Sequence, residues 1–195
     1  MRRGAVGGWY AAPRCELALK SGRRLAKRSP VTHIVPVRNV ATIHTLGYEK
    51  RDLAAYTALL KRAGVSALVD VRETAWSHKP GFSKTAFRAG LERAGIRYIH
   101  AKAVGNPKAL RRRARSHEEC LALFETHLEK HPHLEEEFDR ILRDLLVEEL
   151  RICLACFERH PDDCHRGILA DRWAKRHRGR VEHLAPDGCP RLVSV

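Results

Sequence analysis

Apolar positions along the chain form short continuous runs that alternate with longer stretches of three- and four-residue spacing. The short runs predict five strands, at Ala41–Leu46, Val65–Val71, Ile96–His100, Leu150–Phe157 and Arg180–Leu184. The longer stretches predict helices at Glu49–Ala63, at Ser83–Ala94, after a Ser116–Glu119 capping box, after Pro132 and at His165–His177. Strands that alternate with helices imply right-handed crossovers, so we predict an α/β domain with a mostly parallel sheet of about five strands.

The first 40 residues differ from the rest of the chain. They contain nine Lys or Arg residues, one acid (Glu16), and scattered Gly and Pro that interrupt any regular pattern. We predict that residues 1–40 are a basic, flexible arm and that residues 41–195 form one α/β domain. The arm is either a tether for nucleic acid or an extension with no function of its own.

Composition narrows the function classes. The chain has 195 residues, and its hydrophobic share of 44% excludes a wholly disordered protein. No apolar run reaches the ~18 residues of a membrane span, so we predict no membrane partner. The formal net charge of +14 indicates a nucleic acid (DNA rather than RNA) or a nucleotide as partner, although a solvated basic surface has the same signature. The N-terminus lacks a signal-peptide core, so we predict a reduced, cytoplasmic protein without disulfides.

The segment Cys156–Arg166 carries the strongest candidate chemistry. It runs from the end of a predicted strand, through a turn at Pro161, into the last helix. The free N–H groups and positive dipole end of that helix favour an anion beside His165 and Arg166. The same position would lower the pKa of a Cys164 thiol and give it thiolate character.

Cysteine and histidine residues in this region have three alternative interpretations. One interpretation is a zinc site, since the region contains four residues of the types that bind zinc, namely Cys153, Cys156, Cys164 and His165. Residues three apart on a strand point to opposite faces of the sheet, so Cys153 and Cys156 cannot bind the same metal without a bulge. Cys164 is alternatively a nucleophile, and Cys153 and Cys156 are alternatively core residues. From the sequence alone we assign no metal and no cofactor, and we keep Cys164 as a candidate reactive thiol.

Asp70 ends an apolar run, and Arg72 projects on the same side of the strand two residues later. In a functional interpretation, Asp70 is a general base or a carboxylate that stabilises a cation, and Arg72 holds an anion. In a structural interpretation, the two side chains form an ion pair that fixes the following loop.

The loop that follows interleaves aromatic and basic side chains. Trp76, Lys79, Phe82 and Lys84 suit stacking on bases and contact with phosphates. An ordinary loop that docks Phe82 on the core has the same composition.

Five motifs in order make the chain similar to a known family. They are Thr42–Tyr48 (family pattern IYTIGHS), Leu68–Arg72 (LVDVR), Pro80–Lys84 (PGFNK), Gly95–His100 (GIRYVH) and Cys156–Arg166 (C-x-E, then P, then CHR). Over roughly residues 41–185 the chain resembles the Domain of Unknown Function 488 family. The resemblance implies an α/β, Rossmann-like three-layer fold in a small intracellular protein and implies no particular reaction. Here Tyr48-Glu49 replaces the His-Ser that commonly follows the first glycine of the family.

The candidate site follows from the rule that ligands gather at the carboxyl ends of parallel strands. We expect Asp70, His165 and Glu158 to be catalytic. We expect substrate or anion binding by a second group, Gly47, Tyr48, Arg72, Trp76, Lys79, Phe82, Lys84 and Arg166. The expected function is a nucleic-acid-associated enzyme, a DNA glycosylase-type hydrolase that excises a modified or damaged base. The alternatives are a non-catalytic nucleic-acid or nucleotide-binding module, and thiol or phosphate-ester chemistry at Cys164.

Overall fold

The computed structural model of the protein describes residues 40–184 and the backbone of residues 190–193. Its strands are β1 (Thr42–Gly47), β2 (Ala67–Asp70), β3 (Arg97–His100), β4 (Ile152–Cys156), β5 (Arg180–Leu184) and β6 (Pro190–Val193). They form one sheet in the order β3-β2-β4-β1-β5-β6, in which the first five strands are parallel and β6 pairs antiparallel with β5. The predicted α/β class with a mostly parallel sheet is confirmed.

The helices are α1 (Leu53–Arg62), α2 (Lys84–Arg93), α3 (Lys108–Arg113), α4 (His117–Lys130), α5 (Pro132–Val147) and α6 (His165–His177). Local chemistry explains where two of them begin. The Asp52 side chain accepts the N–H of Ala55 at the start of α1. At the start of α4 the Ser116 hydroxyl accepts the N–H of Glu119, which is one half of the predicted capping box. The Glu119 carboxylate accepts the N–H of Arg115 and not that of Ser116.

Helices cover both faces of the sheet and make three layers. On one face, Tyr56 and Leu60 of α1 and Phe87 of α2 pack with Leu68 and other residues of the strands. On the opposite face, α4, α5 and α6 pack through a second apolar cluster that includes Phe124, Leu128, Phe138, Leu142, Leu169 and Trp173. The carboxyl ends of β1, β2 and β4 are therefore left open between the two helical layers, as the Rossmann-like arrangement requires.

The structure differs from the sequence prediction at three places. Helix α1 begins four residues later than predicted, because residues 49–50 form a turn in which Lys50 has a φ of 58°. The polar stretch Lys102–Arg115 contains a 3₁₀ turn (Lys102–Val104) and α3, neither of which was predicted, and β6 was not predicted. The predicted arm, residues 1–40, lies outside the described residues apart from Val40. In the described part of the chain, no helix has the length and apolarity to cross a membrane.

Candidate functional site

A cleft of about 880 Å³ lies at the carboxyl ends of the parallel strands. Its walls come from residues that follow β1 and β2, from the segment that contains α3 and the start of α4, and from residues that follow β4. Of the residues predicted from the sequence, the cleft brings together Tyr48, Arg72, Trp76, Lys79, Glu158 and His165.

Four side chains with metal-ligating or acid–base chemistry meet at the floor of this cleft or just beneath it. One donor atom each from Cys156, Glu158, Cys164 and His165 lies within 4.8 Å of all the others. The Glu158 Oε2 atom is 2.8 Å from the Cys164 Sγ and 3.3 Å from the Cys156 Sγ, and the Cys156 Sγ is 3.7 Å from the His165 Nδ1. We call these four residues the floor cluster. Glu158 is the one member that is not buried.

The chain path explains why these residues meet. The ladder between β1 and β4 continues past both strands, because the N–H of Glu49 donates to the carbonyl of Phe157 at 2.8 Å. This contact holds Glu158 directly over Gly47, where a Cβ would overlap the Glu158 carbonyl. Gly47 does not border the cleft, so its predicted contact with a substrate or anion is not supported by its position; this glycine instead makes room for the Glu158 backbone.

The start of α6 supplies the other half of the floor cluster. The N–H of Cys164 donates to the carbonyl of Pro161 at 3.0 Å, which closes the turn before the helix. A Cβ at Gly167 would overlap the same Pro161 carbonyl, so a glycine is needed for the turn to pack on the first turn of α6. Cys164 and His165 are thereby placed side by side beneath the end of β4.

His165 is fixed in one tautomer. Its Nε2 atom lies 2.8 Å from the carbonyl oxygen of Val71, which can only accept, so Nε2 carries the proton. Burial lowers the pKa of the imidazole, but hydrogen bonding with Cys164 and the charge of its thiolate raise it more. Nδ1 therefore carries a proton when Cys164 is ionised and can ligate a metal once that proton has left; it faces the Cys156 Sγ. The ring also packs edge-on against Phe124 with 5.3 Å between ring centroids.

Burial and mutual contact shift the pKa values of the floor cluster. Burial raises the pKa of the Glu158 carboxyl, and the neighbouring Cys164 adds to the increase. Burial alone would raise the pKa of Cys164, but hydrogen bonds from Cys156 and His165 and the charge of Arg166 lower it well below its ordinary value. Glu158 and Cys164 therefore compete for one proton.

Arg166 lies behind the floor cluster and does not border the cleft. It is 1% exposed, and its guanidinium donates to the carbonyls of Glu158 and Arg159. Burial lowers its pKa, but Cys164 and Cys156 raise it more, so the guanidinium stays charged beside the two sulfur atoms. The predicted direct contact of Arg166 with a substrate anion does not fit this position.

Asp70 is fully buried and does not border the cleft. Its carboxylate accepts two side-chain hydrogen bonds from Arg72, at 2.8 and 2.6 Å, and one from the Tyr98 hydroxyl at 2.8 Å. Arg72 also donates to the Tyr48 hydroxyl and to the carbonyl of Phe82. This geometry matches the structural interpretation, in which the ion pair fixes the loop, and it leaves Asp70 no direct path to a substrate.

The aromatic and basic loop divides into exposed and buried positions. Trp76 is 60% exposed at the cleft and lies 4.1 Å from His78 between ring centroids. Phe82 is fully buried and stacks on Tyr48, so its predicted stacking on a base is wrong. Lys84 begins α2 and does not border the cleft, so its predicted contact with substrate is not supported by its position.

The wall opposite Trp76 was missed as part of the site. It is made by Asn106, Arg111, Arg115, Ser116 and His117, which lie in or beside α3 and at the start of α4. The sequence shows a basic run, Arg111–Arg115, and the capping box, but not that this segment borders the same cleft as the residues after β2 and β4. His117 joins this wall to the floor, because its Nε2 donates to the carbonyl of Asp163 at 2.7 Å.

The arrangement also resolves the cysteine alternatives. Cys153 packs with Tyr56 and Leu68 on one side of the sheet, and Cys156 belongs to the apolar cluster on the other, so the two face opposite ways as predicted. The floor cluster nevertheless contains four potential ligands, because it includes Glu158, whereas the sequence suggested Cys153. Cys164 is 1% exposed and does not border the cleft, so a substrate would not reach its sulfur.

No curated protein and no solved structure matches this chain. The family described as Domain of unknown function DUF488 matches residues 52–173. This match spans more than half of the 195 residues and includes Arg72, Trp76, the wall formed by α3 and the start of α4, and the whole floor cluster, whereas Tyr48 lies outside it. The chain therefore belongs to the DUF488 family.

Proposed function

We propose that this protein is a nucleic-acid-directed hydrolase that excises a modified or damaged base from an unpaired or extruded nucleotide held in the cleft. One observation carries the proposal: the Glu158 carboxyl lies at the floor of a cleft that has an exposed tryptophan on one wall and cationic side chains on both. An acid beneath a stacking surface and phosphate-binding groups is what base excision needs.

The cleft has the size and surface for a nucleotide. Its volume of about 880 Å³ lies within the usual range of small-ligand sites. Trp76 is 60% exposed, so its indole can stack on a base. Lys79 follows Trp76 in the same loop and Arg115 lies beside α3, so cations from two segments of the cleft can bind phosphates. Arg111 also borders the cleft, but its guanidinium is paired with Glu73.

Glu158 can act as the acid–base group of the reaction. The carboxylate removes a proton from a water molecule, and the water oxygen bonds to the anomeric carbon of the sugar. The bond between that carbon and the base nitrogen breaks, and its electron pair leaves with the base, which takes up the proton. The products are a free base and an abasic sugar, so one water molecule accounts for all atoms. His165 and Arg72 are positioning residues in this scheme, since their polar atoms bind protein groups.

The test is release of free base by the full-length chain from single-stranded and duplex oligonucleotides that carry modified purines or pyrimidines. Mass spectrometry should detect the free base and an abasic strand. The substitution Glu158→Gln should lower the rate by roughly 100- to 10,000-fold, the usual contribution of a general acid or base. Glu118→Gln, the same change at an exposed position of α4 outside the cleft, should leave it unchanged.

Three results would overturn the proposal. Release by Glu158→Gln at the wild-type rate removes the assigned role. Binding without any turnover indicates the non-catalytic module. A base that is altered but stays on its strand indicates hydrolysis of an exocyclic group instead of the glycosidic bond.

A further inference from the structure

We propose that Cys156, Cys164 and His165 bind a zinc ion, with Glu158 beside the fourth coordination position. The sequence alone pointed away from a metal, because Cys153 faces the opposite side of the sheet. Zinc requires three or four sulfur, nitrogen or oxygen donors in tetrahedral arrangement, and the floor cluster offers two thiols, one imidazole and one carboxylate within 4.8 Å.

The spacing of the donor atoms is compatible with one ion, since all of them lie within 4.8 Å of one another. Zinc–sulfur and zinc–nitrogen bonds of about 2.3 and 2.0 Å imply ligand-to-ligand separations of about 3.5 to 3.8 Å in a tetrahedron. The Cys156 Sγ and His165 Nδ1 atoms are 3.7 Å apart. Glu158 Oε2 lies 2.8 Å from the Cys164 Sγ and 3.3 Å from the Cys156 Sγ. These separations are shorter than those between two ligands of one tetrahedral zinc ion, so the carboxylate fits a place beside the ligands better than a ligand position.

The histidine is already oriented as a ligand. Metal-binding histidines donate their second ring N–H to a carbonyl or carboxylate, which fixes the tautomer and aims the free nitrogen at the ion. The hydrogen bond between the His165 Nε2 and the Val71 carbonyl does this, and it leaves Nδ1 facing the Cys156 sulfur.

The charges around the floor cluster also favour a cation. Two thiols and a carboxylate share a largely buried space, where each anionic form is costly without a partner. A zinc ion displaces the two thiol protons into solvent and neutralises the two thiolates. The Glu158 carboxylate and the buried guanidinium of Arg166, which donates to the backbone carbonyl of Glu158, then bring the net charge of the group to zero.

The donor set selects among metals. Thiolate and imidazole ligands suit zinc better than magnesium or calcium, which prefer oxygen donors. Three protein ligands with an accessible fourth position are typical of catalytic zinc sites, and Glu158 is the more exposed member on that side. Zinc occupancy is independent of the reaction; the further expectation, that Glu158 removes a proton from zinc-bound water, rests on the proposed function.

Zinc occupancy is tested on the full-length chain by elemental analysis and by replacement with Co²⁺. We expect one zinc ion per chain after purification without chelator. After chelation under reducing conditions, added Co²⁺ should give the visible bands of a tetrahedral ion and a thiolate charge-transfer band. Cys156→Ser and Cys164→Ser should weaken metal affinity by more than the roughly 10- to 100-fold that loss of an outer-shell partner costs.

A cysteine outside the floor cluster provides the matched control. Cys120 also borders the cleft, and its sulfur accepts a hydrogen bond from Asn106, so Cys120→Ser should leave the metal bound. Glu158→Gln should keep the three ligands, and hence the cobalt spectrum with its charge-transfer band, while base release is lost. If Glu158→Gln loses the metal as fully as Cys164→Ser, the open fourth position is wrong.

A measurement on the unmodified chain covers the case in which the cysteine variants fail to fold. Native alkylation followed by peptide mass spectrometry should show Cys156 and Cys164 protected with zinc and modified faster after chelation. Equal rates in both states would overturn the proposal, as would a Cys156–Cys164 disulfide in place of metal. Metal bound without base release would leave the zinc site standing and refute the proposed hydrolase alone.

Discussion

At the scale of single residues, the buried ion pair of Asp70 and Arg72 leads to a prediction about stability. The Asp70 side chain is fully buried and the Arg72 side chain is 7% exposed, so each charge depends on the other. Replacing Asp70 by Asn leaves a buried guanidinium without its counter-charge. We expect the free energy of unfolding to fall by about 3 kcal/mol, the lower end for breaking a buried ion pair. Denaturant unfolding of the full-length chain measures this change.

An exposed ion pair serves as the control for this prediction. Arg97 and Glu148 are 2.7 Å apart, but both side chains are about half exposed, so Glu148→Gln should change stability very little. Base release by the folded fraction of Asp70→Asn should stay within about tenfold of the wild type, because Asp70 does not border the cleft. If Asp70→Asn were as stable as the wild type but no longer released base, Asp70 would instead have a catalytic role.

The floor cluster shows how far single residues can be interpreted from sequence. Alternation along a strand correctly separated Cys153 from Cys156, because that rule depends only on local backbone geometry. The same rule could not bring Glu158 against Cys164, since their contact depends on how the Pro161 turn closes between β4 and α6. The sequence predicted Glu158 as catalytic, but its contact with both cysteine sulfur atoms became apparent only in the structure.

At the scale of secondary-structure elements, the close approach of β1 to the segment after β4 makes a further prediction. A Cβ at Gly47 would overlap the carbonyl of Glu158, and a backbone atom cannot move away as a flexible side chain can. Gly47→Ala should therefore displace the Glu158 segment. We expect a loss of stability near the top of the roughly 1–3 kcal/mol range of overpacked sites. Zinc affinity and base release should both fall.

A second glycine separates damage to the site from loss of stability. Gly95 has a φ of +76°, and a Cβ there would meet no atom within 4 Å. Gly95→Ala should cost about 1 kcal/mol through backbone strain and leave zinc affinity unchanged. Calorimetric titration of both variants measures the comparison. If Gly47→Ala binds zinc like the wild type, β1 does not position the floor cluster.

The elements themselves were largely predictable, and the exceptions have physical causes. Five parallel strands followed from short apolar runs, because strands buried on both faces are apolar throughout. Helix α3 buries none of its residues, so its Lys108–Arg113 sequence carries no apolar periodicity. Strand β6 is an antiparallel edge strand of four residues, whose pairing with β5 has no local signal. The missed wall of the cleft follows from the same lack of signal in α3.

At the scale of the whole molecule, the net charge leads to a prediction about how DNA binding depends on salt. The chain carries +14, and cationic side chains border the cleft, so binding to DNA should release condensed counterions and weaken steeply with salt. Charge alone does not place the nucleic acid, because basic residues also lie far from the site. The position of the DNA contact can instead be found by replacing one arginine at the cleft and one arginine away from it, since both changes remove the same charge.

Arg115 is exposed on the wall of the cleft, and Arg62 is exposed at the last residue of α1, which does not border the cleft. If Arg115 binds a phosphate, Arg115→Ala should reduce the slope of log affinity against log salt by about 1, and Arg62→Ala should not change it. Fluorescence anisotropy with labelled single-stranded DNA over a salt series measures both slopes. Equal slopes for the two variants would place the DNA on some other basic surface. A nucleic acid that binds a cationic cleft must release counterions, so its affinity has to depend on salt. If the affinity of the unmodified chain for the labelled DNA did not change with salt, the cleft would be better suited to a small uncharged ligand.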